Sequence, residues 1–196
     1  MKKLLVILLA CLSSLAIAQK KGKVFYGSIE SLKGQSAINT EYTYDSMIVG
    51  VDKLEKEFVE EKKKSWDLKE AGKGNDFEKM WMADRKNRYE PTFDYYIRKT
   101  TGLTVNKDNP KYTLIVKTRR SEPGWNAGVV AKGAEIDVEV WLVESANKNQ
   151  VLGKIILLSQ RGKNATGGDF EMGLRLQEAY MEAAQALGAL IIKTTK

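Results

Sequence analysis

Three acidic residues share one face of a predicted strand and are the first candidates for chemistry: Glu135, Asp137 and Glu139. Side chains alternate between the two faces of a strand, so neighbouring carboxylates in this row are about 7 Å apart. Such a row could bind calcium, or supply the acid and the base of a glycosidase. It lacks the loop glycine and the convergence of a calcium site, and Lys117 and Arg119 on the preceding predicted strand can pair with it. We therefore predict cross-strand ion pairs.

The composition excludes several classes of enzyme. The chain contains no histidine, which rules out Ser-His-Asp triads, Cys-His pairs and zinc or haem sites that use histidine. Its one cysteine, Cys11, lies in an N-terminal segment that we expect to be removed. The remaining chain then has no thiol for a disulfide, a metal or a nucleophile. We predict no enzymatic activity, no cofactor and no metal site.

The motif GGDF at Gly167–Phe170 is similar to the signature of diguanylate cyclases. Phe170 stands where the acidic residue after Asp169 should be, and a nucleotide-cyclising domain has no substrate outside the cytoplasm. We interpret the two glycines as a flexible approach to the last helix, with Asp169 as its N-cap.

Aromatic and cationic residues alternate in one predicted helix, at Trp81, Arg85, Arg88 and Tyr89. Surfaces that bind nucleic acid combine the same residue types. The formal net charge of +7 is modest for such a role. We interpret the aromatic residues as part of the core, covered by arginine stems, and predict no nucleic-acid partner.

Trp125 is the one aromatic residue in a loop, Arg120–Gly133, whose neighbours give no helical or strand pattern to explain it. It follows Pro123-Gly124, which favours a turn, and an exposed tryptophan on a turn can anchor a partner. The candidate partner-binding residues are therefore Trp125, Asn126 and Pro123. The alternative is that Trp125 folds back as a lid on the core, in which case Trp125→Ala destabilises the fold by about 3 kcal/mol.

One strand and one helix define the predicted core. In Ala134–Glu144, AEIDVEVWLVE, apolar and acidic residues alternate, which is typical of a strand with one face on the core. In Asp169–Ile192, apolar residues recur at helical spacing and can cover that face. We expect Leu187→Ala to cost about 2–5 kcal/mol, and Glu182→Ala, on the opposite side of the helix, to cost at most about 0.5 kcal/mol.

The other elements complete one domain. The first two predicted strands, Val24–Glu30 and Ala37–Asp45, are joined by a short loop that contains glycine, which favours an antiparallel pair. In a later helix, six residues from Phe77 to Ile97 recur every four positions, and a kink at Pro91 brings them onto one face. We predict an α+β two-layer sandwich: a mostly antiparallel sheet of about five strands, with three helices on one face, one of them kinked, in the order ββααβββα.

The N-terminus is typical of a secretory signal peptide. Lys2 and Lys3 precede the apolar run Leu4–Leu9, and Ala16–Ala18 is a small-residue cleavage site, so we predict a signal peptide at 1–18 and a single domain at 19–196. Loss of the two lysines lowers the formal charge from +7 to +5. The alternative is a lipobox at Leu8–Cys11, which would leave a lipid anchor on Cys11.

From Tyr112 to Ile192 the chain resembles a family of bacterial exported proteins and lipoproteins of unknown function. The shared pattern is an alternating strand, a Pro/Gly loop, the strand–turn–strand segment AEIDVEVWLVESANKNQVLGK, and a Gly-rich loop before the helix EAYMEAAQALGALI. Similar layouts occur in the periplasmic domain of the curli secretion channel and in the N-terminal domain of the TolB translocation protein. The resemblance implies a location in the cell envelope and a non-enzymatic role, and it assigns no site residue.

These observations favour an exported periplasmic or outer-membrane-associated protein that acts as a binding or assembly module. The expected partner is a protein or another envelope component, and no transmembrane segment is expected after the signal peptide. Two alternatives stay open. The first is a carrier of a hydrophobic ligand, which needs an apolar cavity of about 300 Å³ or more. The second is a histidine-free hydrolase that uses carboxylates such as Glu135, Asp137 or Asp169.

Overall fold

An eight-stranded mixed sheet forms one layer of the fold, and helices pack on one of its faces. The computed structural model describes residues 22–107, 109–164 and 167–196; the predicted signal peptide and Cys11 lie outside these ranges. The strands are β1 (Lys23–Gly27), β2 (Ala37–Thr43), β3 (Ile48–Val49), β4 (Lys53–Leu54), β5 (Thr104–Val105), β6 (Tyr112–Glu122), β7 (Trp125–Asn126), β8 (Ala131–Lys132), β9 (Glu135–Glu144) and β10 (Asn147–Arg161). The helices are α1 (Glu55–Asp67), α2 (Lys73–Asp84), α3 (Glu90–Thr101) and α4 (Gly173–Thr195), and a π-helical turn, Arg85–Tyr89, makes α2 and α3 continuous.

The sheet order is β1-β10-β9-β6-β2-β5, with β3 beside the end of β6 and β4 paired to β3. Strands β1, β10, β9 and β6 are antiparallel neighbours, whereas β2 and β3 run parallel to β6. Strands β7 and β8 form a separate hairpin. The α+β class is confirmed, with helices α1, α2–α3 and α4 on one face of the sheet.

The predicted antiparallel pair between the first two strands is wrong, and the sheet is larger and more mixed than the five-strand prediction. β1 pairs with β10 at one edge, while β2 lies on the far side of β6. The connection from β2 to β6 passes through α1, α2 and α3. A crossover that contains helices can return the chain to a parallel neighbour, which a tight hairpin cannot do.

The predicted core is present at the interface of β9 and α4. Ile136, Val138 and Val140 are at most 1% exposed, and Leu187 on the facing helix is fully buried. The prediction that Glu182 lies on an exposed side of the helix is wrong, because Glu182 is itself buried. α4 packs against α3 as well as against the sheet, so the helix has more than one buried side.

The apolar stripe of the second helix is confirmed, but a π-helical turn rather than a kink at Pro91 aligns it. The turn ends just before Pro91, and the backbone N–H of Glu90 donates to the carbonyl of Arg85. An i→i+5 turn inserts one extra residue into the helix and so shifts the phase of the residues that follow. Five of the six residues in the stripe are buried as a result: Phe77, Trp81, Tyr89, Phe93 and Ile97.

Candidate partner-binding site

The loop predicted to carry the site forms a short hairpin at one end of the sheet. β6 ends at Glu122, and the chain turns through Pro123-Gly124 into β7, which pairs with β8. Gly124 has a φ of +65°, and a Cβ there would lie 2.1 Å from the carbonyl oxygen of Lys132. A residue with a side chain would therefore open the base of the hairpin.

The hairpin exposes apolar side chains. Trp125 is 41% exposed, and Val129 and Val130 at the tip are 100% and 59% exposed. The β3–β4 turn reaches the same end, because the Gly50 N–H donates to the Ser121 carbonyl over 2.8 Å, and Val51 in that turn is also exposed. We refer to Val51, Trp125, Val129 and Val130 as the apolar end surface. Several exposed apolar residues at one end of a domain mark interaction sites more often than isolated ones do.

A groove of about 210 Å³ lies beside Trp125. Phe58 and Met172 contribute apolar walls, and Lys62 and Asp169 place opposite charges at its edge. Pockets for small-molecule ligands are usually about 300–1,000 Å³. The volume of this groove is closer to that of an anchoring side chain from a partner.

The base of the hairpin is held by Arg175 in α4, which is fully buried. Its Nε donates to the Pro123 carbonyl over 2.8 Å, and its terminal nitrogens donate to the carbonyls of Gly124, Gly167 and Gly168 over 2.9–3.3 Å. Burial lowers the pKa of the guanidinium, and the nearby Asp169 carboxylate opposes that effect. One cation thus links the loop after β6 to the glycine loop before α4.

Sequence reasoning did not identify Arg175, although a signal was available. The residue lies three positions after Met172 and directly before Leu176, inside the apolar stripe of the last helix. A long cation in a buried stripe needs acceptors, and the two neighbouring loops have backbone carbonyls to offer. Asp169 is not the predicted N-cap, because α4 begins at Gly173 without a side-chain cap.

The three predicted site residues lie together in this hairpin but differ in exposure. Trp125 lines the groove and contacts solvent, while Pro123 is buried and its carbonyl accepts from Arg175. Asn126 is half-buried, and its side-chain oxygen accepts from the Gly128 N–H over 2.9 Å. Pro123 and Asn126 therefore shape the loop, and Trp125 is the residue of the three that presents apolar surface.

The carboxylate row on β9 is paired with arginines, as predicted, but the partners differ. Arg120 pairs with Glu135 and Asp137, and Arg161 also pairs with Glu135. A bulge in β6 between Thr118 and Arg120 shifts the register and brings Arg120 opposite Asp137. The predicted pairing of Lys117 is wrong, and Arg119 reaches only Glu139, at 3.7 Å.

These ion pairs affect the charge state of Glu135. Burial by itself would raise the pKa of this carboxyl, but hydrogen bonds from Arg161 and Arg120 outweigh burial and lower the pKa. Asp137 accepts from Arg120 and from the Ser159 N–H over 2.6 Å each. A carboxylate that stays ionised and carries several donors is a poor general acid.

The aromatic and cationic residues of the second helix pack inside the protein, as predicted. Trp81 donates to Glu55 over 2.7 Å, Arg85 pairs with the same carboxylate, and Tyr89 stacks on Tyr180 with ring centroids 4.8 Å apart. Within the described ranges no cluster of acidic, histidine or cysteine side chains is suitable for a metal ion. In that same part of the chain, no helix has the length and apolarity that a membrane span requires.

Comparison with known proteins finds likeness among solved structures. No family model and no curated protein matches the chain. A PelC dodecamer from Paraburkholderia phytofirmans, in space group P6, is 12% identical, covers 85% of this chain and 96% of its own, and has a TM-score of 0.39. A PelC variant dodecamer from the same organism, in space group C2, is 11% identical, covers 83% and 95%, and has a TM-score of 0.35. The resemblance to the curli channel and TolB domains is not confirmed and stays a prediction.

Proposed function

We propose that the protein is an exported, non-enzymatic module of the cell envelope that binds a protein partner through the apolar end surface. One observation carries the proposal: an exposed tryptophan and two exposed valines project from a hairpin whose base is held by a buried arginine. A preorganised loop loses little conformational entropy on binding, and large exposed aromatic residues supply much of the energy of interfaces. Export rests on the predicted signal peptide.

Two alternatives from the sequence have less support. A hydrophobic-ligand carrier needs a large apolar cavity between sheet and helices, but the cavity among Tyr44, Tyr89, Ser121 and Tyr180 measures only about 10 Å³. A carboxylate hydrolase needs two available carboxylates, and Glu135 and Asp137 are engaged by Arg120 and Arg161.

A photo-crosslinking amino acid at Val129 tests the proposed function. In envelope extracts, we expect a discrete adduct whose yield falls at least about fivefold when Trp125→Ala is added, since loss of a hot-spot residue weakens binding by about 2 kcal/mol. The same crosslinker at Tyr95, which is 47% exposed on α3, is the matched control and should give no such adduct. A Val129 adduct that is unaffected by Trp125→Ala, or no adduct at all, would contradict the proposal.

A further inference from the structure

The outer face of the sheet, away from the helices, carries a row of alternating aromatic and lysine side chains on neighbouring strands. Tyr26 on β1 is in register with Lys154 on β10, and Lys154 is in register with Trp141 on β9. Lys117 reaches Trp141 from β6, on the other flank of β9. Its ammonium lies 3.6 Å from the Trp141 ring centroid, and that of Lys154 lies 4.3 Å from it. We call these four residues the aromatic–lysine row.

The two lysines of the row differ from four other cations of the sheet strands. Arg119, Arg120, Lys148 and Arg161 each pair with a carboxylate. Within the described part of the chain Lys117 and Lys154 make no ion pair, although Glu139 is directly opposite Lys117 in the register. That carboxylate instead accepts from the Trp141 indole over 2.5 Å and approaches Arg119. Two positive charges thus lie against one ring without an ion pair of their own.

A groove of about 400 Å³ continues from the row toward the sheet edge. Its lining includes Lys154 and the exposed aromatic residues Phe25 and Tyr26, which are 69% and 56% exposed. Asn149 and Gln150 add amide groups that can bind a peptide backbone. The face therefore combines fixed positive charge, exposed rings and amides beside the edge strand β1.

We propose that the aromatic–lysine row binds an acidic peptide segment of a partner protein. Carboxylates that contact the Lys117 and Lys154 ammonium groups balance their charge, and the Trp141 ring already orients both lysines. An aromatic or aliphatic side chain of the same segment fits the groove at Phe25 and Tyr26. Single-stranded nucleic acid fits less well, because a base that stacks on Trp141 has to compete with the two lysines already on its ring.

Calorimetric titration with a short peptide of alternating glutamate and tyrosine, at low salt, tests this site. We expect binding that weakens as salt is added, and a loss of affinity of about tenfold or more in Lys117→Met/Lys154→Met. Methionine keeps the apolar stem of lysine over the ring. The matched control is Lys69→Met, which removes an ammonium 4.0 Å from the Trp66 ring on the helical side and should leave affinity within about twofold.

Several outcomes would overturn the acidic-peptide proposal. Equal losses of affinity in the double variant and in Lys69→Met would mean that the peptide is attracted by the overall positive charge of the protein and not by this site. Equal binding of a glutamine–tyrosine peptide would remove the role of charge. Tighter binding of oligothymidylate or of polygalacturonate would assign the face to another class of polyanion, and absence of binding at low salt would end the proposal.

The cavity of about 10 Å³ between the sheet and the helices is lined by the hydroxyl-bearing residues Tyr89 and Ser121. Tyr89 is 4% and Ser121 is 2% exposed, and neither hydroxyl has a hydrogen-bond partner. Buried hydroxyls are almost always paired, and one water molecule needs roughly 10–15 Å³ and at least two polar partners. We infer that this cavity is a binding site for one water molecule that bridges the π-helical turn and β6.

Denaturant unfolding of Tyr89→Phe, Ser121→Ala and the double variant tests the water site. If water bridges the two hydroxyls, each single change raises the unfolding constant by about threefold or more, and the double change raises it by less than the product. Tyr95→Phe at an exposed tyrosine is the control and should change nothing. A neutral or stabilising Tyr89→Phe would mean a dry cavity, and a high-resolution crystal structure with the hydroxyls bonded directly to each other would also overturn the inference.

Discussion

The charged side chains of helix α4 and those of the outer face of the sheet differ in burial and in the groups that bind them. On α4, Arg175 and Glu182 are buried at 0% and 3% exposure, and Arg175 is bound mainly by backbone carbonyls. On the outer face, Arg120 is partly exposed and Glu135 is largely buried, and each is bound by an oppositely charged side chain. Both regions satisfy their charges, but with different partners and at different depths.

This difference distinguishes buried charges, which hold segments of the chain in position, from charges that water can reach. Removing a buried cation leaves its acceptors without donors in a place that water cannot readily reach. Removing one member of a pair that water can reach, such as Arg119 and Glu139, lets water take its place at small cost. We therefore expect the α4 charges to control stability and loop position, and the outer-face charges to contribute little.

The largest effect is expected for Arg175→Met. The change leaves the carbonyls of Pro123, Gly124, Gly167 and Gly168 without their shared donor, and it should cost about 3–5 kcal/mol in the free energy of unfolding measured in urea. Arg119→Met, at a half-exposed arginine 3.7 Å from its carboxylate, is the matched control and should cost at most about 0.5 kcal/mol. Equal costs for the two variants would remove the distinction between the regions.

Glu182→Ala should cost about 1–3 kcal/mol, which replaces the smaller value expected from sequence alone. The carboxylate is buried and lies 3.1 Å from the Lys163 ammonium, which is itself largely exposed. Lys163→Ala should also lower the free energy of unfolding in the same urea titration, because it leaves the buried Glu182 carboxylate without this cation. A neutral Glu182→Ala would mean that burial of this charge does not matter for α4.

Trp125→Ala should separate binding from stability. The side chain is 41% exposed, so we expect at most about 1 kcal/mol of lost stability, against about 2 kcal/mol of lost partner binding. Thermal denaturation measures the first quantity, and the Val129 crosslinking yield measures the second. A drop in stability near the 3 kcal/mol expected for a core lid would favour the lid interpretation instead.

The smallest effect is expected at Glu135 and depends on pH. Its folded-state pKa is lowered by Arg161 and Arg120 despite burial, so its stabilising contribution is present above the ordinary carboxyl pKa, about 4.3, and is lost as the pH falls through the lowered value. Glu135→Gln should lose about 1 kcal/mol or less at neutral pH, and the difference from the unmodified protein should shrink in acid. Glu171→Gln, at an exposed residue, should show no such pH dependence; the same trend in both would contradict the assignment.

Local sequence patterns predicted packing correctly for elements with a defined buried face. The alternation in β9 and the apolar spacing in α4 predicted their packing, because strand and helix periods place particular residues on the buried side. The prediction of ion-pair partners failed where a β-bulge changed the register of β6 and β9. The bulge near Thr118 placed Arg120 instead of Arg119 opposite Asp137, and no composition rule signals a bulge at that position.

Part of the candidate site could also be predicted. Trp125 was identified because an aromatic residue on a Pro-Gly turn has no local reason to be there, and it does contact solvent. Val129 and Val130 were missed, since two valines in a loop resemble ordinary strand residues until β7 and β8 place them at a hairpin tip. Arg175 was missed because its acceptors come from two loops that precede α4, and one of them, at Pro123 and Gly124, is distant in sequence.

The amino-acid sequence by itself determined the α+β class, the strand–helix core and the absence of histidine chemistry, because residue type and local periodicity are properties of short segments. Tertiary structure decided the rest. The parallel placement of β2, the burial of Glu182, the convergence of two loops on Arg175 and the row of Tyr26, Lys154, Trp141 and Lys117 each depend on segments far apart in the chain. Contacts of that kind are set by how layers pack and how strands register, and a single segment carries no record of its neighbours.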